Sequence, residues 1–162
     1  MQNSVEVEFK TKKAALAVAI SLSEPSKMPG KSYGLPAIDS CPVGKKLADI
    51  DNSVCADCYA LKNNYKRYPA IRAAQFKRME STKRADWIPA MVKLITGQEY
   101  FRIHDSGDFY SLEYFKKWLM VISACPDTKF WAPTREKGII TRFINAGGFI
   151  PSNLTIRLSA AM

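Results

Sequence analysis

The sequence predicts an α/β domain in which short, mostly parallel strands alternate with helices behind a long N-terminal loop that carries cysteines. Three observations support this class. From residue 100 onward, short apolar runs alternate with stretches of helical periodicity. Polar side chains follow each of those runs. The chain has 162 residues and 47% hydrophobic content, which suits one globular domain over residues 1–162 with a real core.

The N-terminal part is predicted to contain a buried strand and a long loop. The apolar run at residues 14–22 fits a strand, and the prolines and glycines that follow it indicate a loop to about Tyr59. A loop of that length in a compact domain is usually functional or disordered. Two helices are then predicted, one after Pro69 and one over residues 86–95.

The C-terminal part alternates regularly. Strands are predicted at residues 100–103, 129–132 and 154–158, with helices at 108–124 and 138–145 between them. This order favours parallel pairing with right-handed crossovers. The carboxyl ends of parallel strands form the edge where ligands bind in such folds, so the polar residues after each strand are expected to converge there with the cysteine loop.

Three cysteines within the predicted loop are the strongest chemical signal. Cys55 and Cys58 form a Cys-Ala-Asp-Cys step, and Cys41 precedes a proline. Thiolates two residues apart can reach one metal or cluster. An iron–sulfur cluster, a zinc ion with His104 or Cys125 as fourth ligand, and unliganded thiols all remain open, and the Cys-Pro step favours iron.

A second group of candidate residues follows the strand at 100–103. His104, Asp105 and Asp108 are suited to proton transfer or to binding a cation or a substrate amine, and they are the predicted catalytic residues. Ser106 lies in the same segment and is a predicted ligand contact. The alternative is a tight turn in which Asp108 caps the next helix, because Asp, Ser and Gly are also turn residues.

Three arginines lie near successive strand ends. Arg102, Arg135 and Arg157 have the forked donors that suit a carboxylate or phosphate, so an anionic small molecule is the predicted ligand. Structural ion pairs with nearby acids explain them equally well.

The net charge of +9 is concentrated in residues 62–84. That segment contains eight basic residues and one acid, with Tyr65, Tyr68 and Phe76 among them. It could follow a phosphate backbone and stack bases, so nucleic acid is a possible partner. A solvated helix face is the simpler interpretation. No apolar run is long enough to cross a bilayer, and no export signal is seen, so no membrane partner and a cytoplasmic location are expected.

Several segments together resemble a family of uncharacterised bacteriophage gene products. The segments are residues 20–23, 40–42, 54–60 with the Cys-Ala-Asp-Cys-Tyr-Ala motif, 102–109, 130–135 and 153–160. The resemblance implies a phage or prophage origin, action in the host cytoplasm during infection, and a cysteine-bound metal centre. Family members usually continue into a second cysteine-bearing segment, so a C-terminal extension is expected to be missing here.

The chain also looks loosely similar to radical S-adenosylmethionine enzymes. Those enzymes hold a four-iron cluster on three cysteines after the first strand of a partial barrel, and an acidic, glycine-containing segment after the second strand contacts the methionyl amine. Ser106, Gly107 and Asp108 occupy a comparable place. Thirteen residues separate Cys41 from Cys55, which departs from that family's spacing.

Together these observations predict a partial (β/α) barrel-like domain with a 4Fe-4S cluster on Cys41, Cys55 and Cys58. The expected function is radical S-adenosylmethionine-like or redox chemistry on a small anionic ligand, with S-adenosylmethionine as a candidate cofactor. The alternative is a zinc-binding phage protein that interacts with nucleic acid through residues 62–84.

Overall fold

The computed structural model describes residues 8–62, 65 and 67–160. In chain order, the elements in these ranges are helix α1 (Lys12–Ala19), strand β1 (Lys31–Ser32), helix α2 (Pro42–Ala48), a single 3₁₀ turn (Tyr59–Leu61), helices α3 (Pro69–Ser81) and α4 (Trp87–Ile95), strand β2 (Tyr100–Arg102), helix α5 (Leu112–Ala124), strand β3 (Lys129–Thr134), helix α6 (Lys137–Asn145) and strand β4 (Leu154–Leu158).

The strands form one parallel sheet in the order β1-β2-β3-β4. Phe101 lies beside Phe130, and Phe130 lies beside Leu154, so one row of side chains crosses the sheet. Each successive strand is added on the same side of the strand before it. Right-handed crossovers therefore place the connecting helices on the same face of the sheet. The predicted α/β class with parallel strands is confirmed, and the partial barrel stays a prediction.

The core lies between that face and the helices. Phe101, Phe130 and Leu154 pack with buried side chains of α4, α5 and α6, including Trp87 and Trp118. The Trp87 and Trp118 rings meet edge to face with their centroids 5.2 Å apart, a favoured aromatic geometry. Helix α1 packs on α4, and α4 packs on α5. The helix layer therefore fixes the sheet, whose carboxyl edge carries the site.

The strand predicted at residues 14–22 is wrong, because most of this segment forms helix α1. The hydroxyl of Thr11 accepts a hydrogen bond from the Ala14 amide at 3.1 Å and caps the helix. The helix contains four alanines, at positions 14, 15, 17 and 19, and alanine has the highest helix propensity. The apolar run was therefore a buried helix face, which a short run cannot distinguish from a strand.

The predicted long loop is also corrected. It contains the first strand, β1, and the short helix α2, which begins at Pro42 directly after Cys41. Proline at the first helical position was the signal that the sequence interpretation missed. Helices α3, α4 and α6 and strands β2 to β4 agree with their predictions within a few residues.

Helix α5 begins at Leu112 instead of residue 108. The Ser111 hydroxyl caps it by accepting from the Tyr114 amide at 3.1 Å. Among the described residues, no helix has both the length and the apolar character needed to cross a bilayer.

Candidate metal centre

A cavity of about 180 Å³ lies at the carboxyl edge of the sheet, and all three clustered cysteines line it. The loop after β2 and the end of β3 form its other walls. Of the other predicted site residues, the following line the same cavity: Arg102, His104, Asp105, Ser106, Asp108 and Arg135. The convergence expected from the strand ends is thus present for most of these residues.

Local structure sets the position of each cysteine. Cys41 stands directly before α2, and its carbonyl accepts from the Lys45 amide at 2.7 Å. Cys55 lies in a turn where the Ser53 hydroxyl accepts from the Ala56 amide at 3.0 Å. Cys58 comes directly before the 3₁₀ turn. A helix start and two consecutive turns therefore bring three thiols from 18 residues of chain to one cavity.

Gly44 lies against two of the three clustered cysteines. A Cβ atom built on Gly44 would lie 2.9 Å from the Cys41 Cβ, 3.5 Å from the Cys55 Sγ and 3.9 Å from the Cys41 Sγ. The Cys41 and Cys55 Sγ atoms are therefore no farther from each other than the sum of their two distances to that Cβ. A side chain at this position would press on the Cys41 Cβ and would be in ordinary contact with both sulfurs.

Burial favours the protonated form of the Cys41 and Cys55 thiols. Burial raises the pKa of Cys41 to about 12, and the nearby Asp108 carboxylate adds to that effect. Burial also raises the pKa of Cys55, while the Arg135 guanidinium acts in the opposite direction. Such thiols need a bound cation or cluster to become thiolates, because nearby positive charge is what lowers a thiol pKa.

Asp108 holds the loop after β2 against the end of β3. Its Oδ1 accepts from the Thr134 hydroxyl at 2.5 Å and from the Phe109 amide at 2.8 Å, and its Oδ2 accepts from the Arg135 amide at 2.8 Å. Burial raises the pKa of this carboxyl, although those hydrogen bonds oppose the shift. The geometry gives Asp108 a positioning role, and it does not cap a helix.

Ser106 is likewise engaged in the framework. Its hydroxyl donates to the Leu35 carbonyl at 2.8 Å, and its own carbonyl accepts from the Leu35 amide at 2.8 Å. These bonds join the loops that follow β1 and β2. The Ser106 hydroxyl thus already has a protein partner. Its predicted contact with a ligand stays a prediction.

His104 belongs to the core beneath the cavity. Its imidazole is 2% exposed, packs edge-on against Phe109 with ring centroids 4.8 Å apart, and shares a hydrogen bond of 3.1 Å with the Tyr114 hydroxyl. Burial, with a smaller effect from Arg102, lowers the pKa of His104 to about 3. The ring is therefore neutral near pH 7, so the predicted proton transfer would have to use the neutral imidazole.

Asp105 lies between the cysteine cavity and a larger groove of about 830 Å³. Its Oδ2 accepts from the Tyr65 hydroxyl at 3.2 Å, and its Oδ1 is buried without a hydrogen-bond partner among the described residues. The groove runs between α3 and residues 23–28, and Tyr59, Arg102 and Asp105 line both spaces. An unpartnered buried carboxylate oxygen favours a ligand donor at this junction.

The three predicted arginines are placed differently. Arg102 stands at the junction of cavity and groove, where its Nε donates to the His104 carbonyl at 2.7 Å. Arg135 lines the cavity, and its Nε donates to the Ala160 carbonyl at 3.0 Å. Arg157 is exposed on β4 and lines a separate surface groove. The first two can meet a ligand at the cavity, whereas Arg157 is not brought to it.

The basic segment 62–84 presents less free charge than its composition suggests. Four of its cations form ion pairs, and Arg78 is 6% exposed. The pairs are Lys62 with Asp57, Arg72 with Asp39, Lys83 with Glu80, and Arg84 with Asp86. Lys66 lies outside the described residues. Nucleic-acid binding through this segment stays a prediction.

Two residues that matter for the cavity were not predicted from the sequence. Gly44 makes room for the sulfurs, and Glu136 holds α2, because its Oε1 accepts from the Val43 amide at 2.7 Å. Glu136 lies directly after Arg135 at the end of β3, and that position was an available signal. The close approach at Gly44 depends on the fold and has no sequence signature.

Among the described residues, no group of three or more His, Cys, Asp or Glu side chains is arranged to hold a metal ion. The fold and the site define a mixed α/β protein with a cysteine-lined cavity at the carboxyl edge of a parallel sheet.

The chain belongs to the Gene product 88 family, whose model matches residues 6–162. The predicted membership of a phage-type gene-product family is thus confirmed. No curated protein and no solved structure matches the chain.

Proposed function

We propose that this protein binds an iron–sulfur cluster, of the 4Fe-4S type, through Cys41, Cys55 and Cys58. The observation that carries the proposal is the convergence of these three thiols on one cavity. Thiolates are the usual ligands of such clusters. Three of them on a four-iron centre leave one iron free for another ligand.

The residues around the cavity suit an iron–sulfur cluster. The Arg135 guanidinium stabilises negative charge at Cys55, and Gly44 leaves open the space between Cys41 and Cys55. Since burial raises the pKa of Cys41 and Cys55, loading must displace protons from both thiols. Loading is therefore expected to be weaker at low pH.

The groove beside the cavity is the proposed place for a small molecule that carries an anionic group, with S-adenosylmethionine, through its carboxylate, the first to try. Arg102 would meet its acidic group, and the free Asp105 oxygen would accept from a donor such as an amine. When bound, the cluster supplies electrons for redox or radical S-adenosylmethionine-like chemistry. A reducing host cytoplasm, where thiols stay unpaired, fits this chemistry.

The test is anaerobic purification of the chain followed by assays of iron, sulfide and zinc and an absorption spectrum. Bound iron and sulfide with a broad absorption band at the violet end of the visible range are expected. Cys55→Ser should abolish the colour and any activity. Cys125→Ser is the matched control, because Cys125 is buried against α4, near Thr96 and Val92, and is not among the cavity residues.

Colourless protein with stoichiometric zinc would support the zinc alternative, and protein with neither metal nor colour would contradict both. Retention of full iron content by Cys55→Ser would contradict the assignment of ligands.

A further inference from the structure

The sheet has a second face, which the described helices leave uncovered. Along each strand, the residues of this second face alternate with residues that pack on the helices, such as Phe101 and Phe130. We call this surface the open face, and its members are Tyr100, Arg102, Lys129, Trp131, Thr155 and Arg157. Part of it forms a shallow groove of about 470 Å³.

The charge of the open face is entirely positive. Arg102, Lys129 and Arg157 supply three cations, and among the residues that the structure describes no acidic side chain belongs to the face or lines its groove. None of the three forms an ion pair with a described residue, whereas four cations of the segment 62–84 do. The face therefore has charge available for phosphate groups.

Two aromatic rings lie among these cations. Tyr100 is 38% exposed and Trp131 is half-buried. Lys129 Nζ lies 5.5 Å from the centre of the Tyr100 ring, and Arg102 Cζ lies 4.9 Å from the centre of the Trp131 ring. Tyr100 and Trp131 are diagonal neighbours on adjacent strands. The usual strand spacing and rise place their Cα atoms about 8 Å from each other. Each ring thus has a cation over one of its faces, and the two rings are near enough to each other to contact successive bases.

We propose that the open face binds single-stranded nucleic acid. Bases stack on Trp131 and Tyr100, phosphates meet Lys129 and Arg157, and the Thr155 hydroxyl is available to the sugar. Aromatic platforms among cations are the usual means of binding single strands without sequence preference. A duplex hides its bases and fits this surface poorly. The open face contains none of the clustered cysteines, although Arg102 also lines the cysteine cavity, and Pro133 and Ser159 line both the cavity and the groove. Binding on the face does not require a bound cluster.

The test is fluorescence anisotropy with a fluorescein-labelled 12-residue oligothymidylate, using the full chain. Trp131→Ala should weaken binding by at least about fivefold, and Trp131→Phe should restore most of it. Arg157→Ala and Lys129→Ala, both at exposed positions, should each reduce the slope of log affinity against log salt by about 0.7.

Lys116→Ala is the charge-matched control, because Lys116 is exposed on α5 in the helix layer. It should leave the affinity close to that of the unaltered chain. Lys77→Ala, on α3, tests the segment 62–84 in the same way.

Three results would overturn the proposal. They are the absence of oligonucleotide binding, duplex binding as tight as single-strand binding, and loss of binding in Lys77→Ala but not in Arg157→Ala. Should Trp131→Ala not fold, as judged by circular dichroism, the Arg157 and Lys129 variants still decide the question. Cys55→Ser should bind the oligonucleotide normally, which separates this result from the outcome for the cluster.

Discussion

Gly107 shows how a single residue shapes the loop beside the cysteines. Its φ is +82°, and a Cβ there would lie 2.4 Å from the Ser40 hydroxyl oxygen and 2.7 Å from the Leu35 Cβ. We predict that Gly107→Ala lowers the free energy of unfolding by about 2–4 kcal/mol, since left-handed strain and overpacking both act. Urea denaturation measures this change.

Gly97→Ala is the control for Gly107→Ala. Gly97 has φ +85°, but nothing lies within 4 Å of its added Cβ. Only the backbone strain remains, so a loss of about 1–2 kcal/mol is expected. Equal losses at the two positions would show that the packing around Gly107 is looser than described.

His104 gives the protein a specific response to acid. Its pKa falls from 6.5 to about 3 because the ring is buried, so between these values the unfolded chain binds a proton that the folded chain does not. The free energy of unfolding therefore decreases as pH falls through this window, by up to about 1.4 kcal/mol per pH unit. Urea denaturation from pH 7 to pH 4 should show a shallower dependence for His104→Gln, and an unchanged slope would contradict the burial of a neutral ring.

At the scale of elements, α2 depends on a carboxylate from a distant part of the chain. Glu136, at the start of α6, accepts from the Val43 amide and so fixes the helix that begins after Cys41. We predict that Glu136→Ala lowers the free energy of unfolding by about 1.5–3 kcal/mol and reduces the iron retained per chain. Glu136→Gln keeps an oxygen acceptor and should retain most of the iron. Equal iron loss in both variants would contradict a role in positioning α2.

Helix α5 depends on a side-chain cap at its own N-terminus. Ser111→Ala removes the acceptor for the Tyr114 amide and should cost about 1 kcal/mol, measured by urea denaturation. Ser111→Asp keeps a side-chain oxygen at the cap and should be nearly neutral. A neutral Ser111→Ala would mean that packing of α5 alone determines where the helix begins.

For the whole molecule, the core and the cysteine cavity are separate. The hydrophobic cluster that includes Trp87, Phe101 and Trp118 contains Cys125 but none of the three clustered cysteines. We therefore predict that removing the proposed cluster with a chelator leaves the far-ultraviolet circular dichroism unchanged. Only the stabilisation due to ligand binding should disappear from the unfolding midpoint. Loss of secondary structure on chelation would show that the metal is required for folding.

Local pattern was enough for most of the C-terminal half. Helical periodicity and short apolar runs correctly predicted β2 to β4 and the helices between them, because each pattern reflects one buried face. The local pattern was misleading at α1, where a short apolar run fits a buried helix and a buried strand equally well. It also missed α2, although Pro42 marked the start of that helix.

The sequence by itself determined the α/β class, the parallel pairing of the strands, and the set of polar residues that follow strand ends. Only the tertiary structure decided which of them meet: Arg135 lines the cysteine cavity, Arg157 lies on the open face, and the His104 ring is buried as a neutral group. The physical reason is that side-chain direction, burial and close approaches such as the one between Gly107 and Ser40 arise from contacts between segments distant in the chain, which local spacing does not encode.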